Sequence, residues 1–178
     1  MTIEVPWIDL SDDKVNRLFE LVAAAHYQSA MKNRNASSAA IVNSYFASGS
    51  MAQAISSSLL ATGIRHAPVQ EARKVFETAT KEKVEEQLGH GFKIQGFGNS
   101  FFKNGIDPQW NPVLEYLTAN FPEKSARIEQ IKGYIGKDIY PNPAMFTAIA
   151  CDLAKVPNGC EVAVFALMRI PAWVSLLL

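Results

Sequence analysis

The 178-residue chain is 48% hydrophobic and 19% charged, enough for a single domain spanning 1–178 to bury its own core. Its 17 Lys and Arg balance 17 Asp and Glu, so no net field recruits nucleic acid, an acidic membrane surface or a strongly charged substrate. Cys151 and Cys160 lie in apolar stretches without metal-ligand spacing, which argues against a disulfide scaffold or a metal site and for a reducing, cytoplasmic home.

In chain order, the segment MTIEVPWIDL does not read as a secretory signal, because no basic region precedes a long apolar run. Ser11 is placed to cap a helix whose apolar face carries Val15, Leu18, Phe19, Val22 and Ala25. His26, on the same helix, reads as a satisfied core or edge residue. Asn35 caps a second helix through Ala36 to Ala47, and Gly49 separates it from a third that runs from about Ser50 to Thr62 and stops at Gly63. Both are rich in Ala and Ser, which suits close helix packing or a subunit interface. A longer charged helix is predicted from Val69 to Leu88, ended by Gly89, His90 and Gly91, with His90 in an exposed loop.

A short strand is predicted at Lys93 to Gln95, before the Gly96-Phe97-Gly98 loop. Those glycines lack the spacing of a dinucleotide or Walker loop. Asn111-Pro112 and Asn142-Pro143 each offer a cap followed by a first-turn proline, with another helix between them from Lys124 to Ile135. Pro157-Asn158-Gly159 is a turn, and the last helix starts at about Gly159. From Val162 to Leu178 the chain is almost wholly apolar, but it is short for a bilayer and is interrupted by Arg169 and Pro171. A buried or interface helix is therefore expected, with no membrane anchor.

Several stretches, in order, resemble the later part of citrate synthases. Asn35-Ala36-Ser37-Ser38, after His26, is similar to the end of that family's "LHADHELNAS", and His66 to Ala72 to its "HGGANEA". Lys83 to Leu88, then Lys93 to Asn99 and Asp107-Pro108, resemble "VEEY", "KIMGFGHRVYK" and "DPR". Tyr140 to Phe146 is similar to "YPNVDFY", and Phe165 to Val174 to "FAIARVPGWVAH". The matches cover about the last four-fifths of the chain and correspond to about half of a complete synthase. The fold implied is all-α, a citrate-synthase-like helical bundle made of the small domain plus the core interface helices of the large one.

What the resemblance implies about chemistry is mixed. It keeps the first catalytic histidine as His66, but puts Asn99 at the second and Ala144 at the aspartate that removes the substrate proton. A general base contributes about 100- to 10,000-fold in rate, or roughly 3 to 5 kcal/mol of barrier, and an alanine methyl cannot supply it. Arg169 stands where one substrate-holding arginine belongs, whereas Gln109 replaces the arginine of "DPR". An arginine that the family takes from the partner's C-terminal arm has no counterpart in this sequence. Pro68 replaces a glycine, which removes an N–H. The expected reading is a non-catalytic protein acting through protein contacts, with no cofactor beyond a weak CoA or acetyl-CoA. Any pocket left would be formed by His66, Gly96, Phe97, Gly98, Asn99 and Arg169.

The resemblance also implies partners. The helices matching 36–48, 50–62, 144–154 and 160–174 form the family's subunit interface, which predicts a homodimer, or pairing with a full-length synthase or another cellular protein. The rival reading is an acyl-CoA thioester hydrolase, lyase or variant synthase using His66 with Glu71 or Asp107 as base. From the residues alone, His66 could equally cap or pack beside a helix end. Arg169 needs either a bound acid or a structural carboxylate on a neighbouring helix.

Overall fold

Local caps and apolar periodicity divide most of the chain into helices. The computed structural model describes residues 6–32, 35–62, 68–99, 102, 105–136 and 138–178, and among them it shows nine α-helices. They are α1 (Asp13–Lys32), α2 (Ala36–Ser48), α3 (Met51–Leu60), α4 (Val69–Thr78), α5 (Lys81–Gly89), α6 (Asn111–Asn120), α7 (Pro122–Ile135), α8 (Pro143–Leu153) and α9 (Glu161–Ser175). The predicted all-α class is what the structure has.

The central element is α8. Every residue from Ala144 to Cys151 is buried, so this helix is enclosed on all sides by its own chain. Helices α1, α4 and α9 pack around it, and α6 and α7 extend the main core through Trp110, Val113, Leu117, Ile128 and Ile131. Two satellite cores adjoin it. Val69, Ala72, Ala144, Ala148 and Phe165 fill the space where α4, α8 and α9 meet. Ile41, Ala54, Ala166 and Trp173 join the α2–α3 hairpin to α9. Small residues allow that hairpin to close tightly: Ser58 is fully buried and its hydroxyl donates to the Ser37 carbonyl at 3.0 Å. No helix among the described residues is long and apolar enough to cross a membrane.

Several boundaries differ from the sequence reading, each for a physical reason. The first cap is Asp12, whose carboxylate accepts from the backbone of Lys14 and Val15 at 2.7 and 3.2 Å. Ser11 instead turns back to Asp9. The long charged helix breaks at Ala79-Thr80. Thr80 caps α5 by accepting from Lys83 N at 3.4 Å, while Arg127 of α7 donates to the Phe76 and Ala79 carbonyls at 2.9 and 2.7 Å. An arginine from elsewhere in the fold thus satisfies the orphan carbonyls at the end of α4. Asn111 is already helical; the cap upstream is Asp107, which accepts from Gln109 N and starts a 3-10 turn, Pro108–Trp110, that runs into α6. Asn142 caps α8 as expected, accepting from Ala144 N at 3.0 Å.

The strand expected at Lys93 to Gln95 does not form. A single antiparallel bridge forms slightly later, Phe97 against Pro141. Gly98 N donates to Tyr140 O at 2.8 Å, and Asn142 N to Gly96 O at 2.9 Å. Phe97 and Pro141 are the non-hydrogen-bonded pair, so the missing proline N–H costs nothing. Gly96 and Gly98 have φ of 87° and 80°, a region other residues reach only with strain. A Cβ on Gly96 would lie 2.6 Å from Met145 Cε and 3.1 Å from Ala72 Cβ. Gly96→Ala is expected to lower the unfolding free energy by about 1 to 3 kcal/mol, seen as a reduced urea midpoint by circular dichroism.

Candidate functional site

The bridge brings the 96–99 loop against the N-terminus of α8, and α9 closes the floor behind them. Between these elements lies a cavity of about 670 Å³. Phe97, Gly98, Asn99, Asp107, Asn142, Ala144 and Arg169 all line it, with Pro68 and Phe165. Of the expected pocket residues, the structure therefore gathers Phe97, Gly98, Asn99 and Arg169 on one cavity. Gly96 sits behind its wall, against Met145. His66 lies outside the described residues. Leu88, Phe92, Ile135 and Ile139 make the outer walls apolar, and exposed Lys93 stands at the rim.

Arg169 is the electrostatic centre. It is only 4% exposed and lies on α9, whose other buried residues are apolar apart from Glu161 at its start. Its Nε donates to His26 Nδ1 at 3.0 Å, and its guanidinium carbon lies 5.3 Å from the centre of the Phe165 ring. Its Nη1 has no hydrogen-bond partner. Burial pushes its pKa down to about 10, against the opposing pull of Asp107. Its hydrogen-bond partner is thus a histidine ring, 143 residues away in the chain, while the nearby carboxylate, Asp107, acts through space.

His26 is the satisfied core histidine that the sequence indicates, fully buried and set edge-on against Trp110 and Phe165, each at 4.8 Å. Accepting from Arg169 leaves Nδ1 without a proton, so the proton is on Nε2, which meets Thr147 Oγ1 at 2.8 Å; that hydroxyl donates onward to Pro143 O at 2.8 Å. Burial first, and then the Arg169 charge, hold the ring's pKa well below its ordinary value. His26 therefore orients Arg169 without competing for its charge.

Asp107 supplies the opposite charge and is 3% exposed. Ser29 Oγ donates to its Oδ2 at 3.0 Å, and Gln109 N to its Oδ1 at 3.2 Å. The Gln109 amide, oriented by its neighbours, also donates to Asp107, and its oxygen accepts from Lys32 Nζ at 2.8 Å. Ser29, Lys32 and the His26 contact were not legible as site features, because each depends on a partner distant in sequence. Glu71, weighed as a base, lines a separate cavity of about 240 Å³ with Lys74 and Lys83. Ala144, at the first turn of α8, presents a methyl group to the main cavity and cannot accept a proton. Asn99 stands half-buried beside it on the wall.

Cys151 is buried and its thiol is pushed up to about 12 by that burial, so it is not a nucleophile. No group of His, Cys, Asp and Glu among the described residues could hold a metal ion.

No family model matches the sequence. Solved structures do match in fold. Citryl-CoA lyase from Hydrogenobacter thermophilus superposes with a TM-score of 0.75 and 18% identity over 97% of this chain and 70% of that one. Citrate synthase from Thermotoga maritima gives 0.70 and 24% identity over 92% of this chain and 48% of its own. The citrate synthase of the archaeon Thermoplasma acidophilum, in a ternary complex with carboxymethyl coenzyme A and oxaloacetate, gives 0.64 and 24% identity over 90% and 46%. The chain thus has the citrate synthase fold. It spans under half the length of these two synthases and about two-thirds of the lyase.

Proposed function

We propose that this chain uses the citrate synthase fold to bind a small carboxylic acid without performing the family's condensation. The observation that carries this is Arg169, a buried guanidinium on the cavity with one terminal nitrogen unpartnered. A buried charge left incompletely paired costs several kcal/mol, and a ligand carboxylate recovers that by charge-assisted hydrogen bonds. Ala144 on the same cavity is what separates binding from turnover. A carboxylate bound there would meet no proton acceptor at the place where the resemblance puts one. Calorimetric titration with carboxylic acids tests the reading: binding is expected in the native protein and at least about tenfold weaker binding in Arg169→Met. Heat-silent titration with every acid and with acetyl-CoA would remove the pocket.

The same reading extends to protein contacts. Phe46 and Leu60, on the α2–α3 hairpin, are 83% and 87% exposed, with Leu59 and Leu167 partly so. Exposed large apolar side chains on these helices favour association. We take the assembly to be a homodimer formed through α2, α3 and α9, with pairing to a full-length synthase as the variant. Helix α8, expected at the interface from the resemblance, is enclosed by its own chain and is not part of that surface. Light scattering at micromolar concentration is expected to give twice the chain mass, and Phe46→Glu with Leu60→Glu to give a monomer.

A second reading, an acyl-CoA lyase or thioester hydrolase, is favoured by Asp107. Its carboxylate faces the same cavity as Arg169 and is held by Ser29 and Gln109. The fold match to citryl-CoA lyase fits this reading as well. Release of free CoA from acetyl-CoA, with and without oxaloacetate, followed spectrophotometrically, separates the two. Turnover abolished by His66→Ala would replace the binding reading with this one.

A further inference from the structure

The balance of buried charge on the cavity says which acids it takes. Among the described lining residues only Arg169, Asp107 and the exposed Lys93 at the rim are charged, and Asp107 acts on Arg169 through space. Arg169 and Asp107 are both buried, at 4% and 3% exposure. The Asp107 oxygens are held by Ser29 and by the Gln109 backbone and amide, so the carboxylate is fixed in place. Gln109, at the position where the resemblance puts a second substrate-holding arginine, is committed on both sides. Its nitrogen donates to Asp107 and its oxygen accepts from Lys32, and it is not among the residues lining the cavity, so no guanidinium stands there for a second ligand carboxylate. The remaining wall sets apolar Phe97, Ala144, Pro143, Phe165 and Ile139 beside the neutral amides of Asn35, Gln95, Asn99 and Asn142.

We infer that the cavity selects a small monocarboxylic acid whose carboxylate meets Arg169 and whose hydroxyl or ammonium group donates to Asp107, and that it disfavours dicarboxylates. A dicarboxylate would bring its second negative charge into a low-dielectric space where Asp107 already holds one, and Arg169 is the single buried cation among the described lining residues to offset them all. A hydroxyl or ammonium group instead gives Asp107 a donor, while the apolar walls receive the rest of the molecule. The inference rests on the carboxylate-binding reading above and deepens it.

The test uses a matched pair, 2-hydroxybutanoate and malate, which share four carbons and a 2-hydroxyl and differ in a terminal methyl against a carboxylate. Calorimetry on the native chain is expected to show 2-hydroxybutanoate binding at least about tenfold more tightly. Asp107→Asn, which removes the fixed charge, is expected to narrow that ratio by strengthening malate. Malate binding as tightly as or more tightly than 2-hydroxybutanoate to the native protein overturns the inference, whether or not the variant folds. If that malate binding is lost in Arg169→Met, the carboxylate reading itself survives. A ratio unchanged in a folded Asp107→Asn protein also overturns the inference. Silence toward both acids overturns the inference, and the carboxylate reading falls with it when the other acids and acetyl-CoA are silent too.

Discussion

Replacing Arg73 by methionine is expected to lower the unfolding free energy by about 3 to 5 kcal/mol, the cost of leaving a buried charge without its partner. Arg73 of α4 donates to Glu161 of α9 at 2.9 Å and to Glu77 at 3.0 Å, and lies 3.5 Å from Asp152 of α8. It also donates to Val156 O at 2.8 Å, on the turn between α8 and α9. Glu161 is only 1% exposed, and without Arg73 its remaining contact is the Gly159 N–H at 2.8 Å. One side chain thus joins three helices around a carboxylate that water cannot reach. The urea midpoint should fall with little change in slope. Adding Glu161→Gln should restore part of the loss, because a neutral amide does not need the cation. A double-mutant cycle in which the second substitution only adds to the damage would show that the pair is not the cause.

Acid is expected to weaken the fold through His26. Both ring nitrogens are occupied, by Arg169 and Thr147, and the ring is fully buried beside a positive charge. Its folded pKa therefore lies well below its ordinary value, while the unfolded chain titrates near 6.5. Above about pH 6.5 neither state binds the proton and the stability is complete. As pH falls below that value the unfolded chain takes up a proton that the folded one refuses. Stability then drops by up to about 1.4 kcal/mol per pH unit until the folded pKa is reached. His26→Leu should flatten this slope between pH 6.5 and 5. At pH 7.5 it should cost about 3 kcal/mol by leaving Arg169 Nε and Thr147 without their partner. Denaturation midpoints measured at several pH values on both proteins decide the matter; parallel pH profiles would assign the acid sensitivity elsewhere.

The sequence signals that succeeded were local ones. Asn142-Pro143 contains a complete helix start within a few residues, and the structure forms it with the expected hydrogen bond. The same pattern at Asn111-Pro112 misled because Asp107-Pro108, four residues earlier, carries an equally good signal and starts the turn first. The break in the 69–88 helix depends on Arg127, some 50 residues downstream, and no window on α4 contains it. Phe97, Asn99, Ala144 and Arg169, which the loop and helix motifs singled out, line one cavity in the folded chain. Arg169 also announced itself as a charge in an apolar helix. The identity of its partner did not follow, because periodicity reports that His26 is inside without reporting what it faces. The roles of Gln109 and Lys32 were hidden for the same reason, since only the folded chain sets Lys32 on the Gln109 oxygen and the Gln109 nitrogen on Asp107.

The bridge between Phe97 and Pro141 also limits how the cavity can change shape. Gly98 N to Tyr140 O, Asn142 N to Gly96 O, and Asn142 Nδ2 to Gly98 O at 2.9 Å lock the glycine loop to the start of α8, whose body is the centre of the core. The loop therefore cannot flap over an incoming molecule as a free lid would.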